Sequence, residues 1–458
     1  MEFTHQAYQP GETVAAIATP PGEGGVAMIR ISGQQAFDVA ERVFSGPVKN
    51  YRSHTAHFGY IKDGAGSRVD EVLLLPMKGP RSFTGEDTVE IFCHGGSLIT
   101  KKVLEVVLKA GARAASPGEF TFKAFMNGKV DLTQAEAIQE LIMAKNERAL
   151  NSAENQLQGR LSERVREFER ELIRVYAILE AWVDFPDEGL EFAPMEEVIN
   201  DLETIASAMD RLIATYHDGR IIHEGVSLCL IGSPNAGKSS LLNALLGKDR
   251  AIVSDIPGTT RDVLEDHMRL AGLNIKLVDT AGIREAVEAI EKEGIRRTHS
   301  AIDDADVILY VLDATLGHSA LDAELCKKLS GRKVIAVWNK VDLPHPPIET
   351  DWFSHNVRVS AQRGEGIDTL TEMIGTVVFE RGAPSKEEVV LTSVRHKEAL
   401  DEARESLEKV VLGLKGGVSP EFIAFDMRQS LSSLGRIIGL NVTEDMLTKI
   451  FSTFCIGK

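Results

Sequence analysis

Short β-like segments alternate with turns through the first quarter of the chain. Val14-Ala-Ala-Ile17, Val26-Ala-Met-Ile-Arg-Ile31, Val72-Leu-Leu-Leu75 and Thr88-Val-Glu-Ile-Phe92 read as strands between glycine-rich turns, and a helical pattern follows over 97–110. That combination predicts a small α/β domain over residues 1–122. From Leu132 the spacing lengthens to three or four residues. Leu132, Ala135, Ile138, Leu141, Leu150, Ala153, Leu157, Leu161 and the positions on to Trp182 share one helical period. The stretch predicts several helices or one very long one. Thr133-x-x-Glu136 resembles a capping box near its start, and Asp184-Phe-Pro-Asp-Glu-Gly189 breaks it.

More helix is expected from about 195 to 217. A different texture then takes over, in which buried-type strands end in short polar motifs. After about residue 380 the helical period returns, with Ser419 as N-cap and Pro420 in the first turn. The simplest topology is a helical domain in two sequence-distant halves, 123–219 and 381–458, with a nucleotide-binding domain over 220–380 inserted between them.

The inserted segment carries the strongest chemical signal. Gly232-Ser-Pro-Asn-Ala-Gly-Lys-Ser-Ser240 fits G-x-x-x-x-G-K-[ST], between the apolar run Val226-Ser-Leu-Cys-Leu-Ile231 and the helix-forming Ser240-Leu-Leu-Asn-Ala-Leu-Leu246. In such a loop the backbone N–H groups of Asn235, Ala236, Gly237, Lys238, Ser239 and Ser240 face a polyanion. Lys238 serves the β- and γ-phosphates, and Ser239 offers a hydroxyl to Mg²⁺. Four further motifs follow in order. Ser254-Asp-Ile-Pro-Gly-Thr-Thr260 (with Asp255, Ile256, Pro257, Gly258 and Thr259) offers Thr260 as a second Mg²⁺ ligand. Asp279-Thr280-Ala281-Gly282 ends the strand Ile275-Lys-Leu-Val278 and places a carboxylate near the metal. Asn339-Lys340-Val-Asp342 ends Val334-Ile-Ala-Val-Trp338, where a carboxylate accepts from N1–H and the exocyclic amine of guanine; adenine lacks that donor pair. Ser360-Ala361-Gln362 resembles the loop that closes over the guanine carbonyl. Together these predict a Ras-like P-loop domain that binds GTP.

Composition narrows the remainder. At 458 residues and 43% hydrophobic content, with no apolar run long enough to span a bilayer and no signal pattern at the start, the expectation is a multidomain cytoplasmic protein without a membrane role. Cys93, Cys229, Cys326 and Cys455 lack metal-type spacing. A net charge of −17 argues against a wholly nucleic-acid-binding surface. The balance reverses between 101 and 130, where Lys101, Lys102, Lys109, Arg113, Lys123 and Lys129 face only Glu105 and Glu119; a solvated basic face is the ordinary reading.

Several segments outside the nucleotide motifs carry a resemblance. Ala18-Thr-Pro-Pro-Gly-Glu-Gly-Gly-Val26, Ser82-Phe-Thr-Gly-Glu-Asp87, His94-Gly-Gly96, Pro117-Gly-Glu-Phe120, Asp131-Leu-Thr-Gln-Ala-Glu-Ala137 and Phe454-Cys-Ile-Gly-Lys458 are similar to the MnmE (TrmE) family of bacterial and organellar tRNA-modification GTPases. The resemblance implies a homodimer with a folate-binding N-terminal domain. It also implies a heterotetrameric or larger complex with the FAD-dependent MnmG. Their joint reaction installs an aminomethyl or carboxymethylaminomethyl group on carbon 5 of the wobble uridine of certain tRNAs, with 5-formyl- or methylene-tetrahydrofolate supplying the one-carbon unit.

By position, the resemblance implies folate contacts at Arg30, Glu90, Lys129 and Lys458, and leaves Cys455 either a reactive or a structural thiol. It implies K⁺ held by Asn235, Ser254, Ile256 and Thr259 and activation of hydrolysis by pairing of GTPase domains. Ile283 stands where Ras-like enzymes carry a water-orienting glutamine; the resemblance points to Glu291 for that role, with Glu288 and Glu293 nearby. A ribosome-assembly GTPase and a purely regulatory GTPase are the alternatives, the first disfavoured because no Gly-x-x-Gly clamp stands beside a KH-like pattern in the C-terminal part and because of the terminal Cys-Ile-Gly-Lys458.

Overall fold

The computed structural model describes residues 10–184, 194–248, 267–270, 272–278, 302–317, 327–348, 353–379, 382 and 384–458. They divide into two compact units. The first comprises Met1–Gln139, Gln156–Glu203 and Glu402–Lys458, and the second Glu140–Asn155 and Thr204–Asp401.

The first unit opens with a six-stranded sheet in the order β3-β4-β5-β2-β1-β6, from β1 (Val14–Ile17), β2 (Gly24–Ser32), β3 (His57–Lys62), β4 (Arg68–Met77), β5 (Thr88–Gly95) and β6 (Arg113–Ala114). Neighbours are antiparallel except β1 and β6. Period-2 alternation sorts the faces. Ile29, Ile31, Ile61, Val72, Leu74, Val89 and Ile91 are buried in one core with α1 (Ala36–Val43) and α2 (Ser97–Lys109). On the opposite face the register lines up Phe58, Leu73, Phe92 and Met28 in one row and Leu75, Glu90, Arg30 and Ala16 in another.

Helices α3 (Glu119–Met126), α4 (Leu132–Met143), α5 (Glu147–Leu157) and α6 (Arg160–Asp184) follow, so the long periodic stretch resolves into separate helices. The capping box lies two residues before the expected one. Asp131 Oδ1 accepts from Gln134 N at 3.0 Å, and Gln134 Oε1 accepts from Asp131 N at 3.0 Å. Thr133 instead spends its hydroxyl on Asp131 Oδ1 and Ser162 Oγ. Next come α7 (Met195–Ile213) and α8 (Tyr216–Glu224).

The second unit holds the other sheet, order β12-β11-β10-β7-β9-β8, from β7 (Val226–Ile231), β8 (His267–Leu270), β9 (Leu273–Val278), β10 (Val307–Asp313), β11 (Val334–Asn339) and β12 (Asn356–Arg358). All neighbours are parallel except β8 and β9. Central strands such as β11, buried at every residue, show why the sequence there is a continuous apolar run. Helices α9 (Lys238–Lys248) and α10 (Ile367–Val378) belong to this unit. The chain closes with α11 (Val394–Gly416), α12 (Pro420–Ile438) and α13 (Glu444–Ser452). Ser419 and Pro420 take the expected positions at the start of α12, but Ser419 gives no side-chain cap. Among the described residues no helix is long and apolar enough to cross a membrane.

The basic cluster is not one solvated face. Lys101, Lys102 and Lys109 are exposed on α2, whereas Lys123 is fully buried and Arg113 is held between Glu12 and Glu119 at 2.9 and 2.5 Å.

Candidate nucleotide and N-terminal sites

Strand β7 ends at Ile231, the chain turns through 232–237, and α9 begins at Lys238. Gly232 has φ 148°, and two further residues of the turn also have positive φ. Asn235 has φ 66°, a conformation asparagine adopts more readily than most residues. Gly237 has φ 94°, and a Cβ there would lie 2.1 Å from Asn339 Nδ2. The loop closes around its own lysine: Lys238 Nζ donates to the carbonyls of Gly232 at 2.8 Å and Ser233 at 3.0 Å. Burial draws this ammonium below the ordinary lysine range, and an incoming phosphate would favour its charged form. Ser239 and Ser240 are exposed in the first turn of the 11-residue α9, whose N-terminal dipole favours an anion.

The base-side motifs join this loop through one buried side chain. Asn339 Nδ2 donates to Ala236 O at 2.9 Å, while its Oδ1 accepts from Ala361 N at 3.1 Å. Lys340, with φ 65°, pairs with Asp313 Oδ2 at 2.6 Å. Hydrogen bonding from Ser360 and the nearby Arg363 hold the Asp342 carboxylate below its usual range. Arg363 Nε lies 3.7 Å from Asp342 Oδ2, and Arg363 N donates to Ser360 Oγ at 3.2 Å. Three stretches far apart in the chain, 103 positions between the first and second and 22 between the second and third, therefore form one cradle. Asp313 and Arg363 escaped sequence reasoning; an acidic residue closing the apolar run of β10 was the available signal.

The hydroxyl of Ser239 suits Mg²⁺, a hard cation that takes few protein oxygens and fills its shell with phosphate and water. Among the described residues no group of three or more histidine, cysteine or carboxylate side chains could hold a metal without such help. The candidates Ser254, Asp255, Ile256, Pro257, Gly258, Thr259, Thr260, Asp279, Thr280, Ala281, Gly282 and Glu291 lie outside the described residues.

A second constellation forms in the first unit. Arg30 and Glu90 face each other across β2 and β5, with Arg30 Nε and Nη2 donating to Glu90 Oε1 at 3.0 and 2.9 Å. The guanidinium carbon lies 5.3 Å from the Phe83 ring centroid and 5.6 Å from that of Phe120. Its Nη1 reaches Gly457 O at 3.2 Å, which brings in the C-terminal motif. Cys455 O and Lys458 O accept from Gly118 N and Phe120 N at 3.5 and 3.2 Å. Gly457 has φ 99°, and a Cβ there would come within 2.4 Å of Ile17 O, so the tail lies directly on β1. Burial first, then Arg30, lowers the Lys458 pKa, while Glu90 acts in the opposite sense. Arg30, Glu90 and Lys458 are thus together. Lys129 is exposed and contacts a neighbouring loop, its Nζ donating to Pro80 O at 3.0 Å. Cys455 is exposed, unlike Cys93 and Cys229.

Fold and loop together define a P-loop GTPase domain inserted into a helical protein with an α/β N-terminal domain. Comparison with known proteins agrees. A model described as GTP-binding protein TrmE N-terminus matches residues 13–129, and one described as MnmE helical domain matches 132–455. The chain is 62% identical to tRNA modification GTPase MnmE of Protochlamydia amoebophila (strain UWE25), covering 100% of both chains. It is 44% identical to the proteins of that name from Moorella thermoacetica and Chlamydia felis, covering 98% of this chain and 99% of each of theirs. The chain belongs to the MnmE family.

Proposed function

We propose that this chain is a GTP-hydrolysing enzyme of tRNA modification. With the FAD-dependent MnmG it adds an aminomethyl or carboxymethylaminomethyl group at carbon 5 of the wobble uridine of certain tRNAs. The supporting observation is the nucleotide cradle built through Asn339, in a chain 62% identical end to end to a tRNA modification GTPase. Nucleoside analysis of tRNA from cells lacking this protein is the test. Loss of the modified wobble uridine is expected, and an unchanged nucleoside profile would overturn the reading.

In this reading the N-terminal constellation holds the folate. Glu90 and Arg30 suit the hydrogen-bonding edge of a pterin, and Lys458 and Lys129 suit carboxylates. Arg30→Ala is expected to weaken 5-formyl-tetrahydrofolate binding about tenfold or more, the scale of a lost charged hydrogen bond, with GTP hydrolysis unchanged. Calorimetric titration beside a phosphate-release assay checks it; hydrolysis falling while folate binding held would reassign Arg30. The row of Phe58 (65% exposed), Leu73 (47% exposed), Phe92 and Met28 supports a homodimer through this sheet face.

Asn235 supports K⁺ activation, since this residue is exposed in the phosphate loop and its amide oxygen would share the cation with Ser254, Ile256 and Thr259. When bound there, K⁺ would oppose charge developing between the β- and γ-phosphates, and pairing of two GTPase domains would close the site. Hydrolysis is expected to be about tenfold or more faster in K⁺ than in Na⁺, and Asn235→Ala to erase the difference. Equal wild-type rates in the two salts would remove the cation assignment. Glu291 is the water-orienting group in this reading, so Glu291→Ala should abolish fast hydrolysis while K⁺-dependent pairing of the GTPase domains persists.

A further inference from the structure

We propose that the buried Lys123 is a positioning residue for the folate site, fixing the loop over 80–87 so that Phe83 stays on Arg30. The proposal rests on the folate reading above. The loop connects β4 to β5 outside the sheet ladder. Its backbone–backbone bonds sit at its ends, from Arg81 N to Lys78 O and from Gly33 N to Asp87 O, both at 3.0 Å. Side chains must therefore set its middle.

Those side chains come from beneath. Lys123 on α3 is fully buried, and its Nζ donates to Glu86 Oε2 at 2.7 Å and Glu12 O at 2.6 Å. Glu86 Oε2 also accepts from Ser32 Oγ at 3.3 Å, and Ser32 Oγ lies 2.7 Å from Thr84 Oγ1. Asn127, one turn beyond Lys123, donates from Nδ2 to Thr84 O at 2.8 Å. Residues 84 and 86 are thus anchored to α3 and β2, and Phe83 beside them faces Arg30. Phe83 covers the Arg30 guanidinium, and a Cβ at Gly85 would lie 3.3 Å from Lys129 Cγ. The one loop therefore touches both Arg30 and Lys129.

Stability alone does not account for a charge pair here. Apolar side chains of similar volume commonly replace a buried ion pair without loss, so what the pair adds is selection of one loop conformation. Lys123→Met should then do two separable things. It strands the Glu86 carboxylate, lowering the melting temperature, and it releases the loop, weakening folate.

The experiment uses the full chain, 5-formyl-tetrahydrofolate as probe, and three readouts: dissociation constant, melting temperature and GTP hydrolysis. Lys123→Met is expected to raise the dissociation constant about tenfold, the scale of losing a supporting partner, with hydrolysis unchanged. The neutral double variant Lys123→Met/Glu86→Gln should recover the melting temperature but not the affinity. Wild-type affinity in the double variant, or affinity that merely tracks melting temperature, would overturn the proposal. Should Lys123→Met fail to fold, Asn127→Ala cuts only the tie to Thr84 and is expected to weaken folate a few-fold; unchanged affinity there is equally fatal. No folate binding by the wild-type chain would instead remove the folate reading, and this proposal with it.

Discussion

Lys238→Ala is expected to lower the rate of GTP hydrolysis by about 10²–10³-fold, the scale of removing one preorganised charge from a transition state. The ammonium lies against the carbonyls of Gly232 and Ser233, so its stem and head are already where a phosphate chain would cross the loop. Its pKa is lowered by burial, which means that the charged form is poorly solvated there and gains when phosphate oxygens arrive. Binding should weaken as well, since the same contact exists before and during hydrolysis. Thermal stability should change little, because the lysine's ammonium bonds to carbonyls of its own loop. Lys238→Arg is not expected to rescue, as a planar fork cannot take the place of a compact ammonium between those carbonyls. Single-turnover hydrolysis, nucleotide titration and melting curves measure the three effects. A rate within about threefold of wild type would show that this loop does not carry the phosphates.

The phosphate loop is legible in sequence because its geometry is local. Glycine at 237 answers a left-handed backbone and a close neighbour, and strand and helix flank it at once. Much of the fold is legible for the same reason, through the short β-like runs of β1, β2, β4 and β5 and the apolar run of β11. Other features were hidden by competition between nearby residues of similar type. Asp131 and Gln134 cap α4 although Thr133 and Glu136 offer a comparable spacing, because an aspartate oxygen already engages the free N–H and the threonine hydroxyl. Strand β3 and helix α1 lie outside the expected elements, although Asp63-Gly-Ala-Gly-Ser67 between two β-prone runs is a hairpin signal, with Asp63 Oδ1 accepting from Ser67 N at 2.8 Å.

Long-range chemistry is the part that spacing cannot show. Nothing in the local pattern says that Gly457 will meet Arg30 across 427 positions. Charge counting likewise cannot separate Lys101, which is exposed, from Lys123, which is buried on Glu86. The resemblance of the Phe454-Cys-Ile-Gly-Lys458 motif supplied what periodicity lacked for the tail. The internal role of Lys123 emerged only with the fold.

Asp342→Asn is expected to weaken GTP binding by about 10²–10⁴-fold, because two charge-assisted hydrogen bonds at about 1.5–3 kcal/mol each lose their acceptor. The carboxylate is kept ionised by the hydroxyl of Ser360 and by Arg363, so at neutral pH it presents acceptors only. An amide presents a donor to the N–H groups of guanine and leaves them poorly matched. Xanthine carries an oxygen where guanine has its amine, so the amide should bind xanthosine triphosphate better than the wild-type chain does. The fold should survive, since Asn339, rather than Asp342, ties the phosphate loop to the 360–362 segment. Titration of both nucleotides against both chains reads the exchange of preference directly. If GTP affinity falls without any gain for xanthosine triphosphate, the loss reflects a disturbed loop. If GTP affinity does not fall at all, base recognition lies elsewhere in the domain.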